Sequence, residues 1–522
     1  MIQLQQPFGL ERAKDSSVLV LGLGESGAAM VRWCKTQGAK VRVADTRTAD
    51  TLSESAKTYE KTVRDLGVTD IHLGHLSDNL LDGVQIIAIS PGLSPLQEPV
   101  QSFLAQAKEK DIPVWSEIEF FAQAIAALRR EQAYQVKLLA ITGTNGKTTT
   151  TALTGLLCER AGMSVGVAGN ISPAALDKLL DIEALPNVWV LELSSFQLEH
   201  TYTLNPDAAT VLNVTQDHFD WHGDMNHYVR AKANIFGNTT VAVLNRDDQQ
   251  VLDMANQLNS DARVMTFGVG APSEEDAFGI YHDAAAGGID WLVWAEPDWE
   301  AAELKAKRRR KKSVDDDAPL RLKRLMPADA LRIKGRHNAS NALAALALAS
   351  AIGIPMSPLL HGLREYKGEP HRVQSVSIID GVEYIDDSKG TNVGATIAAL
   401  NGLGDSDASA ARIILIAGGE GKGQDFSPLV PAVGLHAKAV ILIGKDAPLI
   451  KEALASTNVK TMDANDLVDA VNQAEAIAQS GDVVLLSPAC ASFDMFKDYA
   501  HRAEVFVGAV NELAVLRGQV SA

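Results

Sequence analysis

The chain of 522 residues carries a net charge of −17 and is 46% hydrophobic and 22% charged, an ordinary globular make-up. At roughly 150 residues per domain that length allows three or four domains. No apolar run approaches the ~20 residues that span a bilayer, so no membrane span is expected, and an acidic surface disfavours nucleic acid as a partner.

Cys34, Cys158 and Cys490 are too scattered for a disulfide framework or a zinc site. The N-terminus lacks the basic start and apolar core of a secretory signal. A reduced, cytoplasmic protein is expected.

In the first segment Val18 to Leu21 reads as a buried strand by its apolar, β-branched run. Gly22, Gly24 and Gly27 then form G-x-G-x-x-G at a turn into a helix, and Val41 to Ala44 is a second strand ending at Asp45. This is the start of a Rossmann-type βαβ unit. The strand "GVQIIAIS" exits at "PGLSP". Ligands in open sheets lie beyond the carboxyl ends of strands, so Gly24, Asp45, Thr46, Arg47, Ser90 and Gly92 are candidates to face one crevice.

The second segment begins near Pro113. "VKLLAI" is a strand, and "TTTTALTGLLCERAG" a helix with Ala152, Leu153, Leu156 and Leu157 expected on its inner face. Between them the loop departs from G-x-x-x-x-G-K-[ST], because Ile141 stands where the first glycine belongs. The physical requirements survive. Gly143 and Gly146 permit a tight turn whose N–H groups point inward, Lys147 supplies a cation, and Thr148 offers a hydroxyl to Mg²⁺. A nucleoside triphosphate is the expected ligand. Glu192 ends the strand "VWVL" and His218 lies in "NVTQDHFD", so both are candidate Mg²⁺ ligands. "NRDD" only loosely imitates a guanine-reading motif, which disfavours a switch GTPase.

The basic run "KAKRRRKK", Lys305 to Lys312, is followed by Asp315, Asp316 and Asp317. It reads as part of a solvated, charged loop insertion over about 296–325 rather than as a nucleic-acid patch. "NALAALALASAIGI", from Asn341, reads as a buried helix. The third segment alternates again: "GVEYIDDSKGTN", "ARIILIAGGEGKG", "AKAVILIGKD" and "GDVVLLSPACASFD" are apolar strands running into polar or glycine-rich loops.

"GTNGKTTT", "ELSSFQLE", "NVTQDHFDWH", "RAKANIF", "GRHNASNALAALA", "HRVQ", "DDSKGTN" and "SPACASFDMF" occur in the order found in Mur ligases. The chain resembles that family from about Val18 to Val507. These are ATP-dependent enzymes that form amide bonds in peptidoglycan precursor synthesis. The resemblance implies an α/β fold of three domains. They are a Rossmann-like domain that binds a UDP-linked substrate (1–113), a central P-loop ATPase domain (114–367) and a Rossmann-like amino-acid domain (368–522). "DDSKGTNVGAT" and "LLSPACASFDMF" look most like the member that adds D-glutamate to UDP-N-acetylmuramoyl-L-alanine through an acyl phosphate.

The same resemblance assigns residues. It places ATP on Gly143, Thr144, Asn145, Gly146, Lys147, Thr148, Thr149 and Thr150, with Asn338, Asn341, Arg372 and Asp387 around its nucleoside. It places the UDP-substrate on Gly24, Ser26, Asp45, Thr46, Arg47, Ser90, Gly92 and Asn170, and D-glutamate on Lys389, Thr391, Lys422 and Ser492. Mg²⁺ falls to Thr148, Glu192, His218 and Lys232, the last aligning with a lysine that the family carbamylates with CO₂. Lys147, His218 and Lys232 are the expected catalytic residues. Without the resemblance, Lys232 would read as an exposed helical lysine.

Two positions depart from the pattern. Glu25 puts an acid inside the first glycine turn, and the aromatic edge of the glutamate pocket would fall to Tyr499. Three rivals remain: a Mur-type ligase with another amino-acid acceptor, a non-catalytic NTP-switched module, and a nicotinamide-dependent dehydrogenase resting on the glycine turn and Asp45.

Overall fold

The computed structural model describes residues 2–9, 13–286, 288–299, 318–404 and 412–519. The apolar runs of the sequence become strands that stop where glycine or polar residues begin. In the first sheet β1 (Ser17–Leu21), β2 (Lys40–Asp45), β3 (Ile71–Leu73), β4 (Ile86–Ile89) and β5 (Val114–Trp115) lie parallel in the order β3-β2-β1-β4-β5. Val18 and Val20 point into one core and Leu19 and Leu21 into another, which is why β1 reads as continuously apolar. The strand order reverses between β1 and β4, where such sheets open a crevice.

The second sheet contains β6 (Lys137–Thr142), β7 (Val165–Gly169), β8 (Val188–Glu192), β9 (Ala208–Val211), β10 (Val241–Asn245), β11 (Val264–Phe267), β12 (Ala277–Asp283), β13 (Ile289–Pro297) and β14 (Leu320–Pro327). Their order is β14-β13-β12-β11-β10-β9-β6-β8-β7. Strands β6 to β12 pair in parallel, and β12 and β13 pair antiparallel.

The third sheet has β15 (Gln374–Ile379), β16 (Val382–Asp386), β17 (Ile413–Gly418), β18 (Ala437–Ile443), β19 (Lys460–Asp463) and β20 (Val483–Leu486), ordered β15-β16-β20-β17-β18-β19. Only β15 runs antiparallel to its neighbour.

The described residues form two compact units. The first holds the first and second sheets; the second holds the third sheet with Thr215–Asp217 and Pro327–Asn341. The helices Glu25–Thr36, Glu117–Gln132 and Ala175–Asp181 pack on one another, and a single hydrophobic cluster runs from Val18 through Phe120 and Leu176 to Leu244. The N-terminal and central α/β layers therefore share a core. No helix among the described residues is long and apolar enough to cross a membrane.

Two expectations need correction. Parts of the stretch expected as a loop over 296–325 are strand, for β13 reaches Pro297 and β14 starts at Leu320. The charges there find partners that a free loop would lack. Lys323 Nζ sits 5.5 Å from the centre of the Trp294 ring, the Arg324 guanidinium 5.6 Å from that of Trp291, and Arg321 pairs with Glu296. The basic run Lys305 to Lys312 and Asp315, Asp316 and Asp317 lie outside the described residues.

The inner face of the helix Lys147–Arg160 is also shifted. Leu153 and Leu157 are buried as expected, but Ala152 and Leu156 are half-buried, and Thr154, Gly155 and Cys158 complete the buried face. Close approach is the reason: a Cβ on Gly155 would stand 3.0 Å from Val167 Cγ2 on β7. The helix read from Asn341 is seen as Arg336–Ala351, with Ala342 to Ala349 fully buried.

Candidate active site

At the switch point of the first sheet lies a crevice of about 460 Å³. Gly24, Ser26, Asp45, Thr46, Arg47, Ser90 and Gly92 all line it, together with Ser53 and Tyr59, which no motif had singled out. A Cβ on Gly27 would stand 2.0 Å from the Gly22 carbonyl oxygen, so only glycine lets the helix start this close to β1. Asp45, at the end of β2, accepts from the Leu23 N–H at 2.6 Å, the Arg47 N–H at 2.9 Å and the Arg47 guanidinium at 2.7 Å. Burial pushes this carboxyl up, but those hydrogen bonds outweigh it and hold Asp45 below the ordinary carboxylate range. Glu25 reaches out of the turn and accepts from Ser172 Oγ at 2.6 Å, which keeps its charge on a partner.

The second mouth is built around the loop that follows β6. Gly143 has φ +153°, and a Cβ there would stand 2.9 Å from Leu212 Cβ. Gly146 (φ +84°) caps the helix Lys147–Arg160 in the left-handed conformation. Lys147 folds its ammonium into the loop and donates to the Gly143 and Thr144 carbonyls, both at 2.9 Å. Asn213, which the sequence reading missed, clamps the loop: its Oδ1 accepts from the Asn145 N–H at 2.8 Å, and its Nδ2 donates to the Asn145 carbonyl at 3.1 Å. Its place just after β9, a neighbour of β6 in the sheet, was the available signal.

Thr148 stays half-buried at the loop, whereas Thr149 and Thr150 are buried. The Thr150 hydroxyl is in the interior with no hydrogen-bond partner among the described residues, and its N–H bonds to the Gly146 carbonyl.

Register brings the acid to this loop. Ile141 on β6 pairs with Glu192 on β8, and Glu192 is 2% exposed. Its Oε1 accepts from Asn170 Nδ2 at 3.3 Å, while Oε2 is buried with no hydrogen-bond partner among the described residues. Asn170 thus stands with Glu192 and does not line the crevice of the first sheet. The reason is the main chain: β7 lies beside β8, and the Asn170 N–H bonds to the Glu192 carbonyl at 2.7 Å.

His218 adopts φ +55°, a left-handed conformation that is uncommon outside glycine and more accessible to histidine than to most residues. Its ring meets Phe196 edge-on at 4.8 Å. Lys232 is 1% exposed, with Nζ 4.4 Å from the centre of the Tyr228 ring, and the Tyr228 hydroxyl is 3.1 Å from Thr144 Oγ1. The lysine is therefore buried next to the loop, opposite to an exposed helical lysine. A buried carboxylate oxygen with no partner and a buried lysine are the features that a divalent cation and an anionic lysine adduct would complete. The residues fit both groups.

The second unit carries the remaining candidates. Lys334, Asn338 and Arg372 line a cleft of about 310 Å³, with Gly368 and Glu369. Asn341 lies behind Asn338 and donates to its Oδ1 at 3.3 Å. Asp387 turns inward instead: it accepts from Ser487 Oγ at 2.7 Å and from the Val373 N–H at 3.3 Å, and burial pushes it up to about 7.

Three loops are laced together beside it. The Ala489 N–H donates to Gly390 O at 3.0 Å, Glu420 and Ala491 exchange main-chain hydrogen bonds, and the Val393 N–H donates to Gln424 Oε1 at 3.1 Å. These loops carry Lys389 and Thr391, Lys422, and Ser492. Lys389 Nζ sits 5.1 Å from the centre of the Tyr499 ring, which is where the sequence placed an aromatic edge. Lys422 Nζ lies 5.7 Å from the exposed Phe493 ring. Arg502, also missed, is 1% exposed and ties two of the loops by donating to Ser388 O at 2.8 Å and Cys490 O at 3.2 Å; burial pushes its guanidinium down to about 10.

With this geometry in hand, family comparison adds three matches in chain order. Residues 16–116 match the Mur ligase MurD-like N-terminal domain, 141–349 the Mur ligase middle domain, and 371–490 the Mur ligase glutamate ligase domain. The chain is 57% identical to the UDP-N-acetylmuramoylalanine--D-glutamate ligase of Cupriavidus metallidurans, over 96% of this chain and 98% of that one. It is 56% identical to the enzyme of the same name from Paraburkholderia xenovorans, over 96% and 97%. The fold resembles the crystal structure of the MurF ligase from Thermotoga maritima in complex with ADP, with a TM-score of 0.53 over 98% of each chain at 16% identity.

Proposed function

The chain belongs to the Mur ligase family, and on that premise we propose how its residues divide the work of one reaction. The protein joins the amine of D-glutamate to the free carboxylate of UDP-N-acetylmuramoyl-L-alanine, converting ATP to ADP and phosphate, in peptidoglycan precursor synthesis. The carboxylate takes the γ-phosphoryl group of ATP, giving an acyl phosphate and ADP. The amine then attacks the acyl carbon, the tetrahedral intermediate expels phosphate, and the amine nitrogen gives up a proton.

In this reading the crevice around Gly24, Ser26, Asp45, Thr46, Arg47, Ser90 and Gly92 orients the uridine diphosphate end. The Gly143–Thr148 loop receives the β- and γ-phosphates on its N–H groups, and Lys147 offsets their charge. Thr148, Glu192, His218 and Lys232 would hold Mg²⁺, which when bound draws charge from the transferring phosphoryl group. A carbamate on Lys232 would turn a buried cation into a metal-binding anion. Asn170 orients Glu192 through their 3.3 Å hydrogen bond. Asn338 and Arg372 receive the nucleoside in their cleft, with Asn341 fixing Asn338. Lys389, Thr391, Lys422 and Ser492 receive D-glutamate, whose two carboxylates call for cations, while Asp387 holds the Lys389 loop in place.

We take the working domains as 1–113, 114–367 and 368–522, and the cytoplasm, where both nucleotides are found, as the place of action.

The observation that supports this division is Glu192: a buried carboxylate oxygen with no hydrogen-bond partner among the described residues, held by register beside the phosphate loop. Phosphate release tests it. Release is expected only when ATP, Mg²⁺, UDP-N-acetylmuramoyl-L-alanine and D-glutamate are all present, and Glu192→Gln is expected to stop it. Full activity of that variant, or release with no Mg²⁺, would overturn the assignment.

A further inference from the structure

A second group of metal-binding side chains stands apart from these residues. Glu199, His222 and His227 each offer a donor atom, and the three atoms lie within 4.8 Å of one another. They belong to three short elements, the helices Ser195–Glu199, Phe219–His222 and Met225–Ala233. His227 Nε2 is 2.9 Å from Glu199 Oε1, and these side chains are 29% and 19% exposed, so an ion can reach them from solvent.

His222 is 1% exposed. Its Nε2 is 2.9 Å from Ser195 Oγ, and its Nδ1 is buried with no hydrogen-bond partner among the described residues. A buried polar atom left bare is costly and rare. An imidazole anchored through one nitrogen with the other free is the arrangement in which histidine ligates metal.

We propose that Glu199, His222 and His227 bind one divalent cation of the borderline class, Zn²⁺ or Co²⁺, separately from the Mg²⁺ centre. Two imidazoles and one carboxylate suit that class, whereas Mg²⁺ selects oxygen ligands. Tetrahedral bonds of ~2.1 Å put ligand atoms about 3.4 Å apart, so the set must close by roughly 1.4 Å, which rotation of the partly exposed Glu199 and His227 supplies. The ion would clip together the helices that carry Phe196, Trp221 and Lys232. The Phe196 ring stacks on Trp221 at 4.7 Å and on His222 at 5.5 Å, and it also meets His218, so the clip sits one aromatic layer behind a catalytic histidine.

The test uses the untagged full-length protein, stripped with a chelator and kept in saturating Mg²⁺ so that oxygen-ligand sites stay filled. Zn²⁺ is titrated by calorimetry and Co²⁺ by its visible absorption. One equivalent of Zn²⁺ is expected to bind and to raise the melting temperature. His227→Ala and Glu199→Gln, both at partly exposed positions, are expected to weaken it by at least about tenfold and to abolish the thermal shift, with unchanged circular dichroism. Glu192→Gln is expected to leave Zn²⁺ binding intact. The proposal fails if the parent takes up no Zn²⁺ in the presence of Mg²⁺, if the two variants bind it as the parent does, or if Glu192→Gln abolishes binding.

Discussion

The two glycine turns of the first unit leave parallel sheets in the same way and end in opposite chemical states. After β1, the turn at Gly22 opens beside Asp45, whose oxygens are taken up by Leu23 and Arg47. After β6, the turn at Gly143 holds the Lys147 ammonium against its own carbonyls and stands next to Glu192, which has a buried oxygen without a hydrogen-bond partner among the described residues. A crevice whose central carboxylate is paired internally can orient a ligand without altering it. A mouth that strands a charge is arranged for a counter-charge supplied from outside, which is the requirement of phosphoryl transfer. In the proposed reading, hydrogen-bond satisfaction separates binding from chemistry along one chain, although both turns use the same backbone device.

The sharpest way to break this contrast is Lys147→Ala. Phosphate release should fall by about 10³-fold, while calorimetric affinity for UDP-N-acetylmuramoyl-L-alanine stays unchanged, because the crevice around Asp45 does not contain the lysine. Turnover close to that of the parent would show that the second mouth is not the reacting one.

The layer joining the two mouths contains a buried titratable group of its own. Glu117 is fully buried and accepts from the Leu176 N–H at 2.7 Å, while its other oxygen has no hydrogen-bond partner among the described residues; burial pushes it up to about 7. The folded protein then keeps a proton that the unfolded chain releases above about 4.3. Stability should therefore fall as pH rises through the window from that value to about 7 and level off beyond it. The total loss is on the order of 3 kcal/mol. Glu117→Gln cannot ionise, so its melting temperature should lose this slope and exceed that of the parent at pH 8. Parallel pH profiles for the two proteins would show that Glu117 is ionised in the fold.

How far these features could be read from sequence follows from their range along the chain. Strand exits, glycine turns and the helix after the phosphate loop are local patterns, and they appear where the residues predicted them. The crevice is legible in part because Asp45 ends β2 and Gly24, Thr46, Arg47, Ser90 and Gly92 follow strand ends of one sheet, whereas Ser53 caps the helix Glu54–Asp65 and Tyr59 lies within it. Glu117 is not: in "WSEIEF" it reads as an acid in the first turn of a helix, and only packing against the helix Ala175–Asp181 buries it. Asn213 and Arg502 act through partners 68 and 114 residues away, and no spacing rule reports such pairs. Lys232 shows the same limit: helical spacing sets Tyr228 beside it, but not that Tyr228 meets Thr144, 84 residues away, nor that Lys232 is buried. Asp387 adds a contact the motif does not report, its hydrogen bond from Ser487, 100 residues away.

A gentler substitution sharpens the binding half of the contrast. Asp45→Ala removes the acceptor that fixes Leu23 and Arg47, and a hydrogen bond to a charged group contributes about 1.5–3 kcal/mol. The KM for the UDP-substrate should rise about tenfold, with kcat close to the parent value. A fall in kcat at constant KM would instead make the crevice part of the chemistry.

The smallest effect is expected where the phosphate loop touches the helix of Lys232. Tyr228→Phe keeps the ring beside Lys232, whose Nζ is 4.4 Å from its centre, and deletes only the hydroxyl 3.1 Å from Thr144 Oγ1. Losing one neutral hydrogen bond costs about 1 kcal/mol, so kcat should drop about fivefold with little change in the KM for D-glutamate. Tyr228→Leu also removes the aromatic face and should cost more, because Lys232 then loses the surface that holds it in place. Should Tyr228→Phe prove as damaging as Lys147→Ala, the hydroxyl would have to touch a reacting group, and Tyr228 would move from the support of the site into its chemistry.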